Sequence, residues 1–146
     1  MKHYDYDMKS FPDFMKAGRL RKIFSEKDQY ASTKKTLKRA YVKYYNTWDY
    51  QLAFAIWNKG GLCINPNVNL VSNIGFDLRG THTHTIDTRC ANIPVAPIGF
   101  PLRHPSVMKA DAEADYFTFR NILYVPFFTR FRLQLGKMMR KAGWKK

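Results

Sequence analysis

Apolar positions recur at helical spacing over the first third of the chain. Phe11, Phe14, Met15, Leu20 and Ile23 approximate a 3.6-residue stripe, and Lys16, Arg19, Arg21 and Lys22 lie largely off it. Pro12 falls in the first turn and Asp13 near the positive end of the helix dipole, so one helix is predicted from Ser10 to Phe24. Ser25 followed by Asp28 predicts a second N-cap. The helix behind it runs to about Tyr45, its inner face built from Tyr30, Leu37, Ala40, Tyr41 and Tyr44. Lys34, Lys35, Lys38, Arg39 and Lys43 make a basic face on it. A third helix is predicted behind a Thr47 cap, with Trp48 and Asp49 in its first turn. Leu52, Phe54, Ala55, Ile56 and Trp57 are its mostly buried residues, and Gly60-Gly61 ends it in the left-handed way.

Beyond Gly61 the period changes. Leu62 to Asn65 predicts a short strand, Pro66-Asn67 a turn, and Val68 to Ile74 an extended return. Asn69 and Asn73 in that return are too polar for a core unless they are hydrogen-bonded. Glycines and Asp77 then lead into Thr81-His82-Thr83-His84-Thr85. The prolines of residues 91–105 exclude a helix and predict an extended wrap, with Val95, Phe100 and Leu102 as its anchors. Asp111 to Leu123 predicts a last short helix, carrying Ala114, Phe117, Phe119 and Ile122. From Pro126 to Lys146 aromatic and basic residues alternate as an amphipathic tail. The expected class is therefore α/β and helix-rich, with one domain over 1–125 and a basic tail over 126–146.

At 146 residues the chain is one domain at most, and 45% hydrophobic content gives it enough apolar surface for a core. No apolar run approaches the ~18 residues that a membrane span needs. The opening MKHYDYDMKS has no apolar signal-peptide segment, which makes the cytoplasm the expected compartment. Charge changes the picture most: a net +14 calls for anionic surroundings or an anionic partner. Nucleic acid, nucleotide diphosphates and an anionic membrane face all qualify, and so does a basic solvated surface with one anion site. No RNP-like signature or helix-turn-helix spacing favours nucleic acid. Cys63 and Cys90 make no disulfide framework or CxxC zinc spacing; Cys63 is expected as a core thiol and Cys90 in a loop.

Three places carry candidate chemistry. Asp5-Tyr6-Asp7 is a literal Asp-x-Asp, the hard oxygen pair that holds Mg or Mn, but no buried strand precedes it. Its acids are expected at the surface or at a helix start. Asp49 opens the third helix, where the helix dipole favours a carboxylate. In an extended THTHT segment His82 and His84 fall on one side, where neutral imidazoles can ligate Mn or Zn and charged ones can pair with phosphate. Ordinary loop hydrogen bonds are the plain alternative.

TWDYQ, then INPNVNLVSNIGF, THT, FPLRHP and AD-x-FT resemble the C-terminal half of the GT-A-type nucleotide-diphospho-sugar transferases, a bacterial family with hemolysin-like members. The resemblance spans residues 4–123. It implies the acceptor-side half of a GT-A-like fold, which would start after the Rossmann-like donor half, so activity of the chain by itself is not expected. It also implies sugar transfer from a nucleotide-sugar donor to a glycan hydroxyl in surface polysaccharide assembly. Asp49 matches the Asp of WDYQ and would be the base. His82 matches the THT histidine and would bind a Mn or Mg ion or the donor diphosphate; Arg79 and His84 have no clear family counterpart and are assigned to the donor phosphate by their local chemistry alone. The expected partners are the donor, the glycan acceptor, and an N-terminal half or companion subunit. A peripheral contact with an anionic inner membrane face is expected through the tail. A non-enzymatic basic module binding nucleic acid or anionic membrane is the alternative.

Overall fold

A computed structural model describes residues 4–72, 91–124 and Met138. The chain divides into two units, Met1–Ala112 and Glu113–Lys146. The expected boundary between residues 125 and 126 lies outside the described residues.

The first apolar stripe folds as two helices where one was expected. α1 (Phe11–Lys16) has Pro12 in its first turn, and α2 (Arg19–Ile23) follows after Gly18, whose φ is +65°. That left-handed backbone is cheap for glycine and ends the α1 ladder. It also resets the phase of the stripe, so that Leu20 turns inward at 1% exposure. α3 spans Lys27–Tyr41 and ends earlier than expected, because Lys43 takes a positive φ of 57°. Its cap position is Glu26, with no side-chain capping bond. Leu37 and Ala40 are buried as expected, whereas Tyr44, past the helix end, is exposed. α4 covers Asp49–Asn58, and Gly60 stops it at a φ of +67°.

α3 packs on α4 and on α2, and α2 on α1. Met8, Phe11, Phe14, Leu20, Phe24, Leu37, Ala40 and Phe54 form the core, with Tyr30, Tyr50 and Trp57 packed against it. Its aromatic rings meet edge-on: Phe54 lies 5.6 Å from Phe11 and 5.3 Å from Phe14, and Trp57 lies 5.2 Å from Phe24. Such pairs add about 0.5–1.5 kcal/mol each beyond the area they bury.

A polar clamp closes the same contact at the far end of α4. The Arg19 guanidinium donates to Asn58 Oδ1 at 2.8 Å and to the Asn58 carbonyl at 2.6 Å. Asn58 Nδ2 donates to Ser10 Oγ at 2.9 Å. One amide thus joins the start of α1, the start of α2 and the end of α4.

The segments after α4 carry no strand where one was expected. Leu62 to Asn65 is irregular and exposed, with Ile64 64% accessible, because no described neighbour supplies a ladder for its backbone. Cys63 is exposed with it, against the expectation of a core thiol. Asn69 is hydrogen-bonded as its polarity required: its side chain donates to the carbonyls of Ile93 and Pro94, and its own carbonyl accepts from the Ala96 amide at 2.9 Å. Asn73 lies outside the described residues. Residues 92–111 are irregular, as their prolines dictate, but Val95, Phe100 and Leu102 anchor nothing and stand 57%, 80% and 45% exposed. Ala91 makes a lone bridge, and no longer strand occurs among the described residues.

In the second unit α5 (Ala112–Thr118) passes into a π-helical turn over Phe119–Leu123. Phe119 is buried there, stacked on Tyr116 at 6.1 Å, whereas Phe117 is exposed. The tail from Pro126 onward lies, except for an exposed Met138, outside the described residues.

The clamp makes a direct stability prediction. Asn58→Ala removes the two side-chain hydrogen bonds of the clamp, one of them from the Arg19 guanidinium, and should cost about 1–3 kcal/mol. Urea denaturation followed by circular dichroism would show the lowered midpoint with an unchanged slope.

Candidate functional site

Asp49 is the sequence-predicted site residue that the structure describes. It opens α4, and its carboxylate is exposed in the first turn. Thr47 was expected to cap this helix through a backbone amide. Trp48 takes the cap position instead, already in a helical conformation, with φ −107° and ψ −15°. This shift frees the Thr47 hydroxyl, which donates to Asp49 Oδ1.

The neighbours of Asp49 are aromatic. Tyr50 is half-buried against the core, with the Tyr45 ring 5.1 Å away. Burial first, then the Asp49 charge and then Tyr45, push the Tyr50 phenol above its ordinary value of 10.0. Arg39 donates to the Tyr45 hydroxyl at 3.3 Å and lies 5.1 Å from the Tyr44 ring centre. That hydrogen bond is the main reason its guanidinium is held above the ordinary value. The arrangement offers a solvent-reachable carboxylate beside a phenol that keeps its proton.

One residue of this segment escaped the sequence reading. Gln51 is fully buried, and neither its amide nitrogen nor its oxygen has a hydrogen-bond partner. Gln51, Phe54, Ala55 and Asn58 share the inward stripe of α4 at helical spacing, so a polar residue at each end flanks the apolar pair. Reading α4 by that stripe rather than by its run of apolar residues would have flagged Gln51.

Arg79, His82 and His84 lie outside the described residues, as does Cys90. Arg103 and His104 are exposed. Asp5 and Asp7 have work of another kind, in keeping with a surface or helix-start role. The Asp5 carboxylate accepts from the amides of Asp7 at 3.0 Å and Lys9 at 2.7 Å, and Asp7 pairs with Lys43 at 3.2 Å. Lys43 also donates to the Tyr6 carbonyl and sits 3.6 Å from the centre of its ring. Among the described residues no group of three His, Cys, Asp or Glu side chains is assembled for a metal ion. The described residues therefore do not by themselves fit a bound Mn or Mg.

The basic face expected on α3 is divided. Arg39 and Lys43 are engaged by Tyr45, Tyr6 and Asp7, while Lys34, Lys35 and Lys38 face solvent. Among the described residues no helix is long and apolar enough to cross a membrane. No family model, curated protein or solved structure matches the chain.

The raised Tyr50 gives a signed pH dependence. A neutral phenol that the fold prefers contributes stability fully below its ordinary value of 10.0, and loses it as pH climbs through the raised value. Urea midpoints measured from about pH 9 to about pH 11 should fall less steeply for Tyr50→Phe than for the parent chain. Parallel curves would show that Tyr50 ionises like a free tyrosine.

Proposed function

We propose that the chain is the acceptor-side half of a sugar-nucleotide-dependent glycosyltransferase, in which Asp49 takes the proton from an acceptor hydroxyl. What carries the reading is the setting of Asp49 within the TWDYQ segment. Its carboxylate is exposed in the first turn of α4 and is hydrogen-bonded by the Thr47 hydroxyl. A general base for transfer to a hydroxyl needs both: access to the acceptor and a partner that holds the carboxylate. Tyr50, protonated and adjacent, is placed in sequence to donate a hydrogen bond to a sugar oxygen.

Arg79, His82 and His84 enter the proposal by sequence alone. They are assigned to the donor diphosphate, and His82 also to a Mn or Mg ion whose remaining ligands come from a donor-binding half. The product would be a glycan of the cell surface, made at the inner face of the membrane.

A second reading, a non-enzymatic basic module for nucleic acid or anionic membrane, draws support from the exposure of Lys34, Lys35 and Lys38 on α3. It expects salt-sensitive binding to RNA or liposomes and none to nucleotide sugars.

With a donor-binding half in place, Asp49→Asn should lower transfer of radiolabelled sugar by about 10²–10⁴-fold and leave donor affinity nearly unchanged. Unchanged turnover would remove Asp49 from the mechanism. His82→Ala should weaken Mn-dependent binding of the nucleotide sugar in a calorimetric titration, and identical isotherms would end its assignment.

A further inference from the structure

A groove of about 500 Å³ opens between α1 and α3, on residues that the proposed transfer chemistry does not use. Lys16 contributes to it from α1, Lys34 and Lys38 from α3, and its lining contains no carboxylate. All three lysines are exposed, and neither Lys16 nor Lys38 pairs with a carboxylate among the described residues. Three cations on one concave surface, without an internal counter-charge, are complementary to an anion.

The floor decides which anion. Pro12, Met15 and Val42 present aliphatic surface, with Val42 62% exposed. The Phe11 and Tyr30 rings of the lining are already engaged. Phe11 meets Tyr41 at 5.1 Å and Phe54 at 5.6 Å, while Arg21 and Lys34 lie 5.1 Å and 5.7 Å from the centre of the Tyr30 ring. Nucleic-acid bases bind such surfaces by stacking on free aromatic faces, and here Phe11 is buried and Tyr30 is flanked by Arg21 and Lys34, which leaves Tyr41, 37% exposed, as the lining ring open to a base. An aliphatic floor under a rim of lysines suits a molecule with a phosphate at one end and a hydrocarbon body at the other. Lysine stems lie along apolar chains while their ammonium groups reach the phosphate level.

We propose that this groove binds an anionic phospholipid at a bilayer surface, with Lys16, Lys34 and Lys38 on the headgroup phosphate and Pro12, Met15 and Val42 against the acyl chains. The site is built from α1, α3 and the residue that follows α3, and it is independent of the base assigned to Asp49.

The test uses the full chain and vesicles of phosphatidylcholine with or without phosphatidylglycerol, read by co-sedimentation. The chain should bind the phosphatidylglycerol vesicles. Each lysine near an anionic surface is worth roughly five-fold in partitioning, so Lys16→Gln/Lys38→Gln should weaken binding by about thirty-fold. The control pair, Lys22→Gln/Lys59→Gln, removes the same charge from exposed positions outside the groove and should change binding less than about three-fold. Val42→Ser, an exposed substitution that leaves the charge alone, should also weaken binding. Soluble short-chain phosphatidylglycerol should shift the methyl resonances of Met15 and Val42, and inorganic phosphate should not. Equal losses for the two lysine pairs, or no loss for either, would overturn the groove as the site. Binding of an RNA oligonucleotide that depends on Lys16 and Lys38, with none to phosphatidylglycerol, would overturn the lipid. Far-ultraviolet circular dichroism of each variant establishes that the helices are intact.

Discussion

Phe54 is where α4 is seated. Its ring is 1% exposed and takes the edges or faces of Phe11 and Phe14 from α1, in a cluster that also includes Leu37 and Ala40 of α3. Burying a phenylalanine stabilises a fold by about 1.5–3 kcal/mol, but the more important consequence here is directional. α4 has ten residues, too few to hold its shape in water unaided. Its N-terminal carboxylate has a defined position only because Phe54 fixes the middle of the helix and Asn58 fixes its end. The Arg19 and Ser10 contacts of Asn58 add what a single apolar anchor lacks, a bar to rotation about the helix axis.

Helix ends set by one residue were legible in the sequence, and phase changes were not. Gly60 stops α4 as its type predicts, since a left-handed residue is what closes a helix there. Gly18 does the same between α1 and α2, yet the stripe of Phe11, Phe14, Met15, Leu20 and Ile23 looks continuous because the break restores the inward direction at Leu20. Strands were read from apolar residues alone. Leu62, Cys63 and Ile64 have the composition of a strand, but a strand is made by its partner, and the local sequence does not specify one. The prolines of residues 92–111 were right about the backbone and silent about what it covers, so Phe100 was expected to be an anchor and is exposed.

The candidate site divides along the same line. Asp49 was visible because a carboxylate at a helix start is a local pattern, and Thr47 was visible as its neighbour. Which atom Thr47 serves depends on Trp48 joining the helical conformation, which is a property of the packed structure. The basic face of α3 was overcounted for the same reason. Lys43 is drawn to Asp7 and Tyr6, some 37 positions away in the chain, and a helical wheel does not contain that contact. Gln51 was hidden by its polarity, since a reading that buries apolar residues assigns an amide to solvent.

Phe11 joins the two proposed sites physically. Its ring walls the groove beside Met15 and also packs against Phe54, the residue that seats α4 and therefore Asp49. Removing that ring would empty the core contact and the groove floor together, so a loss on Phe11→Ala would not distinguish a lipid site from a fold that has come apart. The lysines separate the two, because Lys16 and Lys38 are exposed and belong to the groove without belonging to the core. Asp49 separates the other side in the same way, at the exposed tip of a helix whose burial lies in Gln51, Phe54 and Ala55. The two proposed sites lie in charged residues at the margins of a small aromatic core, and each margin is open to substitution without disturbing the other.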